Sequence, residues 1–166
     1  MPVQFPISEE TASAAFAVPL KQALDQLQAK HQLKNLRLVV LGLVVSAPGA
    51  INEPIDELAQ MIKDYAPHCF VLIDGAHTMG QVQTLHFSAM SNVDAYLSNG
   101  HEWLYSPKGS AFLWVNQSSV VNNLFAQPTV ISSANPLGTS LLQRYSYVSS
   151  REYTAFFATQ KAIDFR

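Results

Sequence analysis

Five residues with hydrogen-bonding or acid–base side chains stand just after apolar stretches of the chain: Ser46, Asp74, His77, Asn99 and His101. In an open parallel sheet, ligands bind beyond the carboxyl ends of the strands, because the loops diverge there and the following helices offer their N-termini. We therefore predict that these side chains converge on one rim of a sheet. A carboxylate such as Asp74 could pair there with a protonated heterocyclic nitrogen, and His77 could touch the same ring.

The tetrapeptide "DGAH" (74–77) also fits a purely structural role. In that interpretation Asp74 caps the next helix and His77 is a surface residue. A metal site is a further alternative, because two histidines and a carboxylate can form a facial triad; its ligands would be Asp74, His77, His101 and Glu102. Adjacent residues seldom direct both side chains at one ion, so we predict no metal.

The segments that would position these residues alternate between strand and helix patterns. "LRLVVLGLVV" (36–45) is continuously apolar, which predicts an inner strand of a parallel sheet covered on both faces. "CFVLID", "DAYLSN" and "AFLWVN" predict three further strands, and "IDELAQMIKDYA" has the apolar spacing of an amphipathic helix. This order predicts an α/β fold with a mostly parallel sheet and flanking helices.

Helices are also predicted near both ends of the chain. Residues 8–32 have a helical composition, with Ser8 as the N-cap and Pro19 expected to kink or split the helix. Residues 151–165 have apolar side chains at helical spacing. These helices complete the expected layers on the sheet.

The composition of the chain limits which class of protein it can be and which partners it can bind. The chain is 48% apolar and 13% charged, which is typical of one globular domain and argues against disorder. A formal net charge of -2 with no basic run argues against nucleic acid or an anionic membrane as a partner. The single cysteine, Cys69, and the absence of a secretory pattern at the start predict a cytoplasmic location, and no apolar run reaches the ~20 residues of a membrane helix.

Two motifs at a defined spacing resemble a known family. "VLIDGAHTMGQV" is followed by "NGHEWLYSPKGSAFLWV", so that His101 comes 27 residues after Asp74. The pair resembles the class V aminotransferase family of pyridoxal-phosphate (PLP) enzymes, and is most similar to its isopenicillin N epimerase-like branch, which also contains carbon–sulfur lyases. The resemblance runs from about Leu36 to Val115 and again over 149–165. It implies part of the large domain of fold-type I PLP-dependent transferases, with PLP as cofactor.

The resemblance implies a role for each matching residue. Asp74 would face the pyridine nitrogen and keep the ring protonated, so that the ring can act as an electron sink. His77 would lie near the phenolic oxygen of the ring, while Asn99 and His101 would reach the phosphate. Ser150 would reach the phosphate of the neighbouring subunit in a dimer. The loop that braces the site is matched by Trp103, Pro107, Lys108 and Gly109.

One departure from the family pattern falls on the residue that carries its chemistry. Where the family has His-Lys-Trp, this chain has His101, Glu102 and Trp103. A carboxylate cannot form the Schiff base that the lysine forms. The negative charge of Glu102 would also repel the cofactor phosphate. At ~4 Å this repulsion costs roughly 1 to 4 kcal/mol of cofactor binding. Lys108 is a weak alternative nucleophile, because the family carries a lysine there in addition to the catalytic one.

Length is another departure, since members of the family are more than twice as long as this chain of 166 residues. We expect residues 1–166 to form a single partial domain, without the upstream segment and the C-terminal small domain. Three functions stay open: a catalytically impaired PLP-fold protein, an active PLP-dependent amino-acid lyase, epimerase or transaminase using Lys108 or a partner chain, and a non-catalytic partner of a full-length relative. The expected assembly is a homodimer or a dimer with such a relative.

Overall fold

The computed structural model of the protein describes residues 12–45, 50–51, 54–82, 85–121 and 150–165. The helices in these ranges are α1 (Ala12–Ala29), α2 (Ile55–Tyr65), α3 (Gln117–Val121) and α4 (Thr154–Phe165). The strands are β1 (Leu38–Gly42), β2 (Val44–Val45), β3 (Ala50–Ile51), β4 (Phe70–Asp74), β5 (Ala95–Asn99) and β6 (Ala111–Val115). Short 3₁₀ turns occur at Leu33–Asn35 and Phe87–Ala89.

Four of the strands form one sheet in the order β1-β4-β5-β6. β1, β4 and β5 run parallel, and β6 runs antiparallel to β5. The predicted α/β fold, with a mostly parallel sheet and flanking helices, is therefore confirmed. β2 and β3 form a separate antiparallel pair that the sequence pattern did not predict.

The prediction that residues 36–45 form an inner strand is wrong. β1 covers Leu38–Gly42 and, among the strands of the described residues, is an outer strand of the sheet. Leu38 and Val40 are 52% and 53% exposed. A continuous apolar run indicates a strand whose two faces would both be stable when buried. The run does not say which segment would cover it, and the described residues leave one face of β1 open.

The core lies between one face of the sheet and helices α1 and α2. Alternate side chains of a strand point to opposite faces, and Val71, Ile73 and Tyr96 lie on the same face. All three are fully buried in a core cluster that also contains residues of α1 and α2. α2 contributes apolar side chains at helical spacing, namely Ile55, Leu58, Ala59 and Ile62. Fully burying a large apolar side chain stabilises the fold by about 1.5 to 3 kcal/mol, so this layer holds β4 and β5 in place.

The two predicted terminal helices are confirmed in type. α1 continues through Pro19, so the helix is not split there. A proline inside a helix costs about 3 kcal/mol, and packing of the neighbouring Leu20 and Leu24 on the core opposes that cost. The predicted N-cap, Ser8, lies outside the described residues. None of the helices in the described ranges is both long and apolar enough to span a membrane.

Part of the opposite face of the sheet is apolar and exposed. By the strand register, the side chains of Leu38, Val40, Leu97 and Leu113 lie on this face. All four are exposed. We call these four residues the open sheet face.

A buried ion pair, not predicted from the sequence, fastens α2 to the sheet. Nζ of Lys63 lies 2.5 Å from Oδ2 of Asp94 and donates a hydrogen bond of 2.7 Å to the carbonyl oxygen of Cys69. The same carboxylate accepts hydrogen bonds from the backbone N–H of Val71 and from the hydroxyl of Ser119. Because both oxygens have donors, the buried charge of Asp94 is compensated.

Candidate functional site

The carboxyl ends of β4 and β5 lie side by side and carry the predicted polar residues. Asp74 is the last residue of β4 and Asn99 the last of β5. Asp74 pairs with Leu97 across the two strands. The next residue, Gly75, donates a backbone hydrogen bond of 2.8 Å to the carbonyl oxygen of Leu97. The loops after the two strands therefore leave from one rim, as predicted. The fifth predicted rim residue, Ser46, lies outside the described residues.

Within the described residues, the carboxylate of Asp74 makes a structural contact through one of its oxygens. Its Oδ1 accepts a hydrogen bond of 3.0 Å from the backbone N–H of Ala76, which fixes the turn after β4. Within the described residues, no hydrogen bond reaches Oδ2. The carboxylate can therefore hold the turn and still face a ligand on the rim.

Asn99 connects the two loops of the rim. Its Nδ2 donates to the carbonyl oxygen of Ala76 at 3.2 Å, and its Oδ1 accepts from the backbone N–H of Glu102 at 3.3 Å. Both ends of the side-chain amide are thus engaged with protein atoms. Asn99 sets the spacing between the loop that carries Asp74 and the loop that carries Glu102.

Glu102 makes its closest side-chain contact with His77. Nδ1 of His77 lies 2.8 Å from Oε2 of Glu102, with 32% and 36% of the two side chains exposed. The indole N–H of Trp103 lies 3.4 Å from the same Nδ1. One nitrogen cannot donate to Glu102 and accept from Trp103 at the same time, so His77 has two alternative partners. In both arrangements its ring is held against the loop after β5.

The loop 100–110 is braced by α4 through small hydroxyl side chains. Oγ of Ser106 lies 3.0 Å from Oγ of Ser110, 3.1 Å from Oγ1 of Thr159 and 3.2 Å from the carbonyl oxygen of Ala155. The backbone N–H of Gly100 donates to the carbonyl of Ser110 at 3.0 Å. The sequence patterns did not predict a role for these residues. The signal that could have indicated them is the pair of serines on either side of the Pro107–Gly109 turn.

The remaining predicted residues make fewer contacts. The side chains of His101 and Lys108 are exposed, and no described residue forms a hydrogen bond with either of them. Ser150 is exposed just before α4 and, within the described ranges, makes no hydrogen bond to the rim. The part of the chain described contains no group of three or more His, Cys, Asp or Glu residues that could hold a metal ion. The structure thus brings together Asp74, His77, Asn99 and Glu102.

Comparisons of sequence find relatives but no matching family model. An L-cysteine desulfhydrase-like protein of Epichloe uncinata is 32% identical over 134 residues, which is 76% of this chain and 27% of that protein. The chain spans about a quarter to a third of the length of the curated relatives it matches.

Comparisons of structure find the same kind of protein. The cysteine desulfurase of Thermococcus onnurineus superimposes with a TM-score of 0.64 at 18% identity, covering 90% of this chain and 35% of that one. A variant of the cystine C–S lyase with glycine covalently linked to its PLP cofactor gives 0.62 at 23% identity, covering 78% and 34%. These likenesses confirm the fold predicted for part of a fold-type I PLP enzyme.

The resemblance drawn from the two motifs is confirmed as well. The sequence relatives are L-cysteine desulfhydrase-like proteins, and the structural neighbours are enzymes of the cysteine desulfurase and class V aminotransferase type.

The rim residues of this chain do not fit PLP held through a lysine. The resemblance assigns the position of the Schiff-base lysine to Glu102, and the carboxylate of Glu102 contacts His77. The amide of Asn99, expected at the phosphate, is engaged with backbone groups. Only Asp74, with its available oxygen, keeps the predicted complementarity to a protonated pyridine nitrogen.

Proposed function

We propose that the chain is an L-cysteine desulfhydrase-like protein of the class V PLP fold in which Schiff-base chemistry is lost. The observation that carries the proposal is the 2.8 Å contact between His77 and Glu102 on the rim formed by β4 and β5. A carboxylate there offers no nucleophilic nitrogen. In this proposal Asp74, His77, Asn99, His101 and Ser150 descend from a PLP site, and the chain is catalytically impaired.

Two finer assignments belong to the same proposal. The isopenicillin N epimerase-like branch, which also contains carbon–sulfur lyases, is supported by the motif pair around Asp74 and His101. A cytoplasmic location is supported by Cys69, a free thiol buried in the core, because reducing compartments keep thiols unpaired.

Replacement of the lost amine by Lys108 is disfavoured by the geometry of its loop. Hydrogen bonds of Ser106 and Ser110 hold the loop on both sides of Lys108. Gly109 follows with a φ of 104°, a left-handed conformation that suits glycine and fixes the direction of the turn. These contacts fix the backbone on both sides of Lys108.

The proposal is tested by mixing the purified chain with PLP and L-cysteine. We expect the wild-type protein to show no imine absorption band attributable to the rim and to release no sulfide above the rate of free PLP. Glu102→Lys should gain the band, and Glu102→Gln, which removes the charge without adding an amine, should not. Sulfide release by the wild-type protein above the rate of free PLP would contradict the proposal.

A second candidate function is docking onto a full-length relative, and the open sheet face favours it. A parallel sheet is normally covered on both faces, whereas Leu38, Val40, Leu97 and Leu113 are exposed on one. Size-exclusion chromatography of the chain mixed with a full-length L-cysteine desulfhydrase-like protein tests this candidate. A joint peak that Val40→Lys abolishes would support docking, and separate elution would count against it.

A further inference from the structure

Two side chains of the loop 100–110 make opposite demands on one nitrogen of His77. Oε2 of Glu102 lies 2.8 Å from Nδ1, and an ionised carboxylate can only accept a hydrogen bond. The indole N–H of Trp103 lies 3.4 Å from the same Nδ1, and an indole can only donate. Nδ1 therefore needs a proton to bind Glu102 and a lone pair to bind Trp103. The protonation of the ring decides which of the two contacts can form.

We infer that His77 is a proton-controlled switch on the rim, which pairs with Glu102 when its ring is charged and accepts from Trp103 when its ring is neutral. Both nitrogens of a charged histidine carry protons, so the charged ring excludes the bond from the indole and gains an ion pair with the carboxylate. The neutral ring loses that ion pair. Its tautomer with the proton on Nε2 presents the lone pair of Nδ1 to the indole. Histidine is the side chain best suited to such a contact, because its ordinary change of charge falls between pH 5 and 8.

The backbone that carries the three side chains is held in both states. Asn99 donates to the carbonyl oxygen of Ala76, the residue before His77. It also accepts from the backbone N–H of Glu102, the residue before Trp103. This amide link contains no titratable group. Both partners already lie within 3.4 Å of Nδ1, so the exchange needs only small side-chain rotations on a fixed pair of loops.

Solvent protons can reach the switch, because the side chains of His77 and Glu102 are 32% and 36% exposed. Within the described residues, the hydrogen-bonding contacts of Nδ1 are with Glu102 and Trp103. Other ionisable groups lie on the same two loops and act on the ring through their charge, namely Asp74, His101, Tyr105 and Lys108. The charged ring thus holds the Glu102 carboxylate, and the neutral ring releases it to solvent at the rim.

The test follows the indole N–H signals of the full chain by proton–nitrogen NMR from pH 5 to pH 8. The chain has two tryptophans, and Trp103→Phe assigns their signals. We expect the Trp103 signal to move downfield as the pH rises, because its N–H then donates to Nδ1. The signal of Trp114, which stacks on Phe87, should stay in place and report that the fold is intact. His77→Gln should abolish the movement of the Trp103 signal.

Glu102→Gln tests the other side of the switch, because it keeps an acceptor and removes the charge. Without the ion pair the charged ring is less favoured, so the midpoint of the movement should fall by about 0.2 to 0.7 pH units for a partly exposed pair. Glu57→Gln is the matched control, because it removes the charge of an exposed acid in the first turn of α2. It should leave the midpoint unchanged.

Three results would overturn the inference: a Trp103 signal that does not move with pH, a movement that persists in His77→Gln, or a midpoint that is the same in Glu102→Gln and the wild-type protein. These signals require no cofactor. The proposed loss of Schiff-base chemistry therefore fails only by its own test with PLP and L-cysteine.

Discussion

Gly75 lies so close to the ring of Tyr96 that a side chain has no room there. A Cβ atom on Gly75 would stand 2.2 Å from Cζ and from the hydroxyl oxygen of Tyr96. Tyr96 is fully buried on β5, and burial raises the pKa of its phenol, so the ring stays neutral. Through this contact, the turn that carries Asp74 and His77 packs directly against the core.

Gly75→Ala should therefore destabilise the fold and displace the turn. Overpacking of a core costs about 1 to 3 kcal/mol, and the close approach to a rigid ring places this substitution at the upper end. Gly42→Ala is the control, because the nearest described atom to a Cβ there would be Cγ2 of Val45, at an ordinary contact distance of 3.6 Å. Urea unfolding measures the stability of both variants. Equal midpoints for Gly75→Ala and the wild-type protein would show that the turn is not seated in this way.

Asp94→Asn should be among the most destabilising single substitutions in the chain. It leaves the ammonium of Lys63 buried without its counter-charge, and breaking a buried pair from one side costs about 3 to 5 kcal/mol. Asp164→Asn removes an exposed acid from α4, where surface pairs contribute about 0 to 1 kcal/mol. The free energy of unfolding should therefore fall much more in Asp94→Asn than in Asp164→Asn. A small effect of Asp94→Asn would mean that the pair is open to solvent.

The thiol of Cys69 should be inert in the folded protein. The residue is fully buried, and burial raises the pKa of the thiol, which keeps it in the unreactive protonated form. Ellman's reagent should label little of the native protein and one thiol per chain in denaturant, since the sequence has one cysteine. Rapid stoichiometric labelling under native conditions would contradict the placement of β4 in the core.

The open sheet face should promote self-association. Val40→Thr makes one of its apolar positions polar while keeping the β-branched shape that suits a strand, so it should lower the sedimentation coefficient at high protein concentration. Val18→Thr is a control of matched exposure, 54% against 53%, on helix α1 rather than on the sheet. If both variants sediment like the wild-type protein, this face does not drive association.

The four segments that form the strands of the main sheet and the convergence of Asp74 and Asn99 could be predicted from the sequence. Apolar runs followed by polar residues mark strand ends, and parallel strands bring those ends to one rim. The contact between His77 and Glu102 could not be predicted in the same way. It depends on how two loops fold toward each other, and no periodic pattern encodes that.

Two further features of the fold could not be predicted from the sequence. The outer position of β1 was missed because its apolar residues, such as Val40, indicate a preference for burial and not the segment that provides it. The pair of Lys63 and Asp94 was missed because two charged residues 31 positions apart give no local signal. Both depend on the tertiary arrangement alone.

We propose that the rim of this chain cannot hold PLP covalently, because Glu102 stands where the resemblance places an amine. The most direct measurement is peptide mapping by mass spectrometry after incubation with PLP and reduction with borohydride. We predict no reduced adduct within residues 99–110 of the wild-type chain, and an adduct at position 102 in Glu102→Lys. A stoichiometric adduct on Lys108 of the wild-type chain would contradict the claim.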